Sequence, residues 1–389
     1  DVLVVTLEVP GARSSDEQVV RLPAVTEAGG TEFSIRLPVP SGLHRRLDSF
    51  SPDVVHSHHP FMLGDTAFRV ARRHGLPLVF THHTLYEEYT YLFSRESSAL
   101  EQMAMHIATE YANLCDHVVA PTRSIQRVIQ ERGVKTPIDV IPTGIDVRAY
   151  RNGRGEAFRK QHGIPGDAFV LGYLGRVVKV KNMDFLARAA VNLLSACPQV
   201  WYLVVGDGES LGDLRRTMEE AGVAQRVVTT GSLRGQAVTD AYAAMDLFGF
   251  ASHTDTQGIV LVESLSSGVP VVALDATGAR DVVAHEDCGR LLPADSSPKK
   301  FAAEIRSLVD NRELLRQWSR NALERAGEFD RRRCARRLVN AYEKLLAESE
   351  TRKAPADVDI WSDMQNQFEA EWDLFREKLA VLVSSMEWR

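Results

Sequence analysis

Residues 246–274, DLFGFASHTDTQGIVLVESLSSGVPVVAL, read as a strand, a loop, a helix, a tight turn and a second strand. DLFGFAS and PVVAL are short apolar runs of strand length, and the segment between them has the length and pattern of a helix. Gly258 frees the backbone where that helix opens, and Gly268 suits the left-handed conformation that stops it. A strand, a helix and a further strand make one unit of a parallel sheet, so the stretch predicts an α/β fold. It also gathers helix-start N–H groups, a positive dipole end and the carboxylates of Asp255 and Glu263. Taken alone, that chemistry fits a ligand site and an ordinary capped helix with a solvated Glu263 equally well.

The same alternation runs outward in both directions. Upstream, AFVLGYLGR, VWYLVVGDG and RVVTTG are strands, separated by helices near 183–196 and 210–222. In the first 146 residues VLVVTL, VVRL, FSIRL, DVVHSH, PLVFTHH, HVVAP and DVIP read as strands, with helices near 61–74, 97–114 and 122–132. The pattern restarts after residues 142–153, which places a hinge there. With 389 residues the chain exceeds one ordinary core, and two doubly wound α/β domains facing a cleft are predicted.

Composition narrows the function classes. Hydrophobic residues make up 44% and charged residues 25%, as in a globular protein and unlike a disordered one. The apolar runs fall far short of the roughly 20 residues a membrane-spanning helix needs. Cys115, Cys197, Cys288 and Cys334 are scattered singly, which suits reduced thiols in a cytoplasmic protein and no paired zinc or redox motif. A net charge of −6 and the lack of a polybasic cluster argue against nucleic acid as a partner. The chain begins DVLVVTLEVP, already a strand running into a loop.

Ligands in doubly wound sheets bind beyond the carboxyl ends of the strands, and the chemically distinctive residues fall there. YLGRVVKVKN puts Arg176 and Lys181 in a loop entering a helix. VVGDGES carries Gly206 and Gly208, which permit close backbone approach. Asp255 and Glu263 follow DLFGFAS. Cations for a diphosphate, N–H donors at a helix start and a carboxylate for ribose hydroxyls together suggest a sugar nucleotide.

These residues resemble the retaining family-four glycosyltransferases, which have the two-Rossmann GT-B architecture. PDVVHSHHPFMLG, THHTLYEEY, APTRSIQRVI, VIPTGIDVRAY, YLGRVVKVKN, VVGDGES, GSLRGQAVTDAYAAMDLFGFAS and TDTQGIVLVESLSSGVPVVA occur in the family's order, up to about residue 345. THHTLYEEY and TDTQG look most like the glucosyltransferases that build glycolipids on diacylglycerol. The resemblance implies an N-terminal acceptor domain over 1–146 and a C-terminal donor domain over 147–330. A helix over 331–350 would then return toward the first domain. Family members usually open with a strand, a glycine-rich loop and a helix ahead of the segment matching DVLVVTLEVP. A unit of roughly 30 residues is therefore expected to be missing at the start.

Site roles follow by position. Asp255 and Glu263 fill the family's acidic pair, with Asp where Glu is commoner. Asp255 and the backbone of Thr256, Gln257, Gly258 and Ile259 would hold the donor sugar, and Glu263 the ribose. Arg176 and Lys181 match the diphosphate clamp, although Val180 stands where Glu is frequent. His83 matches the histidine on the acceptor side of the reacting sugar. Gly206 and Gly208 lie where backbone meets the nucleotide, and Ser232 and Leu233 where the base docks. The resemblance implies metal-independent transfer with retention, no cofactor beyond the donor, and UDP-glucose ahead of GDP-mannose. A nucleotide-sugar-binding protein without turnover is the rival from another class. The acceptor is a lipid or a small molecule.

His56, His58, His59, His82 and His83 invite a zinc reading, but no Cys or carboxylate completes a zinc spacing, so no metal is expected. The helix SSALEQMAMHIATEYANLC has Glu101 and Glu110 and no Lys or Arg, which weakens peripheral membrane contact without removing it. Residues 355–389 form a predicted amphipathic extension, with Trp361, Met364, Phe368, Trp372, Phe375, Leu379, Leu382 and Met386 at steps of three or four. Homodimerisation through this helix is expected ahead of packing across the domain interface.

Overall fold

The computed structural model describes residues 1–8, 18–22, 26–27, 34–35, 41–61, 63–87, 98–283 and 286–349. Asp1–Leu346 form one unit and Ala347–Arg389 another. The amphipathic extension expected over 355–389 lies outside the described residues.

In the first half, β1 (Val4–Leu7) pairs in parallel with β2 (Val19–Leu22), and β3 (Thr26–Glu27) pairs antiparallel with β4 (Ser34–Ile35). Of FSIRL, read from sequence as a strand of the parallel sheet, the described residues Ser34 and Ile35 pair antiparallel with Glu27 and Thr26 instead. Next, α1 (Ser41–Phe50) packs Leu43 and Leu47 with Leu22 and Val70. β5 (Val55–Ser57), α2 (Leu63–His74), β6 (Leu78–Thr81), α3 (Ser98–Leu114), β7 (His117–Ala120), α4 (Arg123–Glu131) and β8 (Ile138–Val140) then alternate. Their strands form a parallel sheet in the order β5-β6-β7-β8.

The second half begins with α5 (Gly155–Gln161), β9 (Phe169–Leu174), α6 (Met183–Ala196), β10 (Val200–Val205), α7 (Leu211–Glu220) and β11 (Val227–Thr229). It continues with α8 (Gln236–Ala243), β12 (Leu247–Phe250), α9 (Ile259–Ser266), β13 (Val271–Leu274), α10 (Ala279–Val282) and β14 (Gly289–Leu292). The six strands are parallel in the order β11-β10-β9-β12-β13-β14, the doubly wound order of a Rossmann sheet.

Both faces of this sheet are covered, which is why its strands read as unbroken apolar runs. Along β9, Phe169, Leu171 and Tyr173 enter one core cluster while Val170 enters the other. On β13, Val272 and Leu274 face the first cluster, and Val271 and Ala273 the second. α6 supplies the first cluster through Leu186, Ala190 and Leu193. α9 supplies the second through Leu261, Val262 and Leu265.

After α11 (Pro298–Val309) and α12 (Arg312–Ala326) comes α13 (Arg331–Ser349). α13 lays Leu338, Ala341, Tyr342 and Leu345 against Val79, Val119 and Ile141 of the first half. The chain therefore crosses between the halves twice, and the crossings bond to each other. Ile145 N–H donates to Phe329 O at 3.0 Å, and Arg331 N–H to Ile145 O at 2.9 Å. Gly144 permits this approach, because a Cβ there would stand 2.6 Å from Arg331 Cα.

Candidate active site at the switch point of the second sheet

β9 and β12 are neighbours although two strands separate them in sequence, and their helices leave on opposite faces. Such a reversal opens a crevice above the strand ends. The loop after β9 and the loop after β12 meet there. Lys181 Nζ donates to Asp255 Oδ1 and Oδ2, each at 2.8 Å, with 13% of the lysine and 19% of the aspartate side chain exposed. Asn182, left-handed at φ 57°, ties the same loops by donating from Nδ2 to Ala251 O at 3.2 Å. Arg176 lies exposed on the first loop, and its carbonyl accepts from the Tyr173 hydroxyl at 2.7 Å.

Gly206 and Gly208 follow β10 with φ of 140° and 152°. A Cβ on Gly206 would lie 1.9 Å from Gly175 O, and one on Gly208 2.4 Å from Val177 O. The closeness these glycines permit is thus already required between two loops of the protein. Ser232 is exposed and Leu233 half-buried, both just beyond β11.

The 253–259 loop is anchored to the first half of the chain. Thr122 Oγ1 donates to Thr256 O at 2.8 Å, and Thr256 Oγ1 donates to His83 O at 2.7 Å. Gln257, buried, exchanges two bonds with the Thr143 backbone, donating from Nε2 at 2.9 Å and accepting at Oε1 at 2.7 Å. Gly258 at φ 63° then opens α9 with no side-chain cap, so its first N–H groups have no capping side chain. From α10, Asp281 accepts from Arg123 N–H at 3.0 Å and Ser124 N–H at 3.1 Å, so a carboxylate of the second half sits on the positive end of α4.

One turn into α9, Glu263 keeps different company. Its Oε1 accepts from the Tyr150 hydroxyl at 2.7 Å and its Oε2 from Tyr242 at 2.8 Å. Burial raises its pKa, and the two phenol bonds oppose that rise. Among the histidines, His83 Nε2 bonds His58 Nδ1 at 2.9 Å, and the His58 ring stacks between His83 and His56 at 5.1 and 4.4 Å. His56 also bonds Thr81 Oγ1 at 2.6 Å and the Tyr342 hydroxyl of α13. Burial, reinforced by His58, lowers the His83 pKa to about 4, so the ring is neutral at pH 7. No group of three or more His, Cys, Asp or Glu among the described residues is arranged to hold a metal ion.

The structure therefore brings Lys181, Asp255, Thr256 and His83 into one connected network, with Gln257 and Gly258 on the same loop. Arg176 lies five residues before Lys181 on its loop. Glu263 stands on its own phenol pair. Sequence reasoning missed Tyr150, Tyr242, Thr122, Thr143 and Asp281. Tyr150, Thr122, Thr143 and Asp281 are bonded to residues more than a hundred positions away and Tyr242 to one 21 positions away, and no local helix or strand period reveals such partners.

A Rossmann-ordered sheet with a charged pair at its switch point, beside a second parallel sheet, defines the class of two-sheet α/β proteins. Residues 1–149 match the family described as glycosyltransferase family 4, and residues 155–325 match glycosyl transferases group 1. The D-inositol 3-phosphate glycosyltransferase of Segniliparus rotundus is 30% identical over 307 residues, covering 77% of this chain and 68% of that protein. The chain belongs to these glycosyltransferases. The alpha-monoglucosyldiacylglycerol synthase of Streptococcus pneumoniae is 28% identical over 269 residues, which is 67% of this chain and 60% of that relative. The match to the synthase of Acholeplasma laidlawii likewise spans 60% of that protein. Among solved structures, Anabaena HepE in complex with UDP superposes with a TM-score of 0.67 at 23% identity, over 76% of this chain and 80% of that one. The sucrose-phosphate synthase of Thermosynechococcus elongatus gives 0.68 at 19%, over 89% and 88%. These likenesses establish the GT-B fold. Among the described residues no helix is long and apolar enough to cross a membrane.

Proposed function

We propose that the protein transfers a hexose, glucose in the favoured reading, from a UDP-sugar to a hydroxyl of a lipid or small-molecule acceptor, with retention and without a metal. The observation that carries this is the Lys181–Asp255 pair at the switch point beside the uncapped start of α9. A nucleotide sugar replaces that pair with two better-matched ones. Its diphosphate takes the ammonium, and its sugar hydroxyls take the carboxylate. Arg176, Lys181 and the α9 N–H groups stabilise the charge that grows on the departing diphosphate, the work a divalent ion does in other sites. Asp255 and the backbone of Thr256, Gln257, Gly258 and Ile259 hold the sugar. Glu263 takes the ribose, Gly206 and Gly208 flank the phosphates, and Ser232 and Leu233 receive the base. His83, neutral and joined through its carbonyl to Thr256, lines the acceptor side. The leaving phosphate oxygen accepts the acceptor's proton on the same face, so no side chain serves as general base.

Relatives named for diacylglycerol glucosylation favour glucose and a lipid acceptor, reached by peripheral contact at the inner face of a membrane from the cytoplasm. The homodimer expected through 355–389 remains part of the proposal. One observation favours a second donor. The GDP-mannose-dependent alpha-mannosyltransferase of Mycobacterium tuberculosis is 30% identical over 270 residues, covering 69% of this chain. Calorimetric titration with UDP, UDP-glucose, GDP and GDP-mannose in EDTA separates the readings. Tight binding of the uridine pair, weakened by Lys181→Ala, is expected. Preference for the guanosine pair turns the proposal to mannosyl transfer, and binding of neither removes it.

A further inference from the structure

Glu263 is held by two phenols of unlike character. Tyr242, on α8, is fully buried and also contacts Phe248 and Tyr150 ring to ring. Tyr150 is half-buried and belongs to the short turn Ala149–Asn152, within the segment that joins the two sheets. Its ring meets that of Tyr242 edge-on at 6.0 Å, so the two hydroxyls converge on one carboxylate from different elements. An ionised carboxylate offers about four lone-pair sites. One phenol on each oxygen leaves one site on each, which suits a pair of adjacent hydroxyls.

We propose that Tyr150 and Tyr242 are positioning residues that aim both oxygens of Glu263 at the vicinal ribose hydroxyls of the donor, and that Tyr150 ties this grip to the linker between the sheets. The inference rests on the ribose role given to Glu263 above. It adds a specificity device, because a carboxylate free to rotate would grip a ribose and a deoxyribose with less distinction. It also adds a mechanical link. The turn that carries Tyr150 runs directly into a close approach to α8, since a Cβ on the following Gly153 would lie 2.4 Å from Thr239 O. Just upstream, Ile145 is bonded to Phe329 and Arg331 on the return crossing.

The test uses the full chain, calorimetry, and two probes, UDP and 2′,3′-dideoxyuridine 5′-diphosphate, or the guanosine pair if GDP is the tighter wild-type ligand. Tyr150→Phe keeps the ring and removes one donor. It is expected to weaken UDP by about tenfold, the worth of one hydrogen bond to a charged group, and to leave the dideoxy probe unchanged. Glu263→Gln is expected to weaken UDP at least as much and likewise spare the dideoxy probe. Equal weakening of both probes by Tyr150→Phe, or no change in either, overturns the positioning role while the Glu263→Gln result still upholds the ribose site. An unchanged UDP affinity in Glu263→Gln removes the ribose site itself.

Discussion

Lys181 and Asp255 neutralise each other at 2.8 Å in a crevice that leaves each less than a fifth exposed. Removing one strands the other, so a single substitution here disturbs more than one contact. Lys181→Ala is expected to lower sugar transfer by a factor on the order of 10² or more, through lost stabilisation of the departing diphosphate, with the fold intact by circular dichroism. A loss under threefold would place the charge stabilisation elsewhere. Gly208 makes a different demand. Its φ of 152°, and the 2.4 Å that would separate a Cβ there from Val177 O, are incompatible with a side chain. Gly208→Ala is expected to cost about 1–3 kcal/mol in urea unfolding before any ligand is added. The glycine was legible in VVGDGES as a point of close approach to a nucleotide, and the folded chain adds a second demand on it, because two loops of the protein touch there.

At the scale of elements, the alternation of apolar strand and helix sufficed to place β9, β10, β12 and β13 with α6, α7 and α9, though not α8, because both sheet faces are buried and the period is strong. What the pattern withheld is which distant residues bond to one another across the fold. Asp281 on the start of α4, Gln257 on Thr143 and Tyr150 on Glu263 join residues more than a hundred positions apart, and no local period encodes them. The Asp281 contact makes α10 and α4 report on each other. Asp281→Ala is expected to cost about 1–2 kcal/mol and to speed amide exchange at Arg123 and Ser124 ahead of the rest of α4. Unchanged exchange at those two amides would show that the carboxylate adds no protection there.

For the whole molecule, the histidines of the first half set a pH limit. Burial lowers His56 to about 3 and His82 and His83 to about 4, and it lowers His58 as well. The unfolded chain takes up protons near pH 6.5 that the folded chain refuses. The stability these residues contribute is therefore fully present above that pH and lost as pH falls toward 4. Urea midpoints should decline across that interval, and less steeply in His82→Asn. An identical slope in the variant would assign the decline to other groups. The two-sheet architecture was legible from the restart of the strand–helix pattern after residues 142–153. The bonding of the two crossings at Ile145 and Arg331 was not, since it depends on the path of α13 back to the first sheet. Retaining, metal-free transfer at the Lys181–Asp255 crevice is tested most directly by following UDP-glucose in EDTA by proton NMR, with and without a diacylglycerol acceptor, and reading the anomer of the first sugar product. The account predicts the α-anomer from wild type and its loss in Lys181→Ala. A β-anomer, or turnover that appears only with added divalent metal, would contradict it.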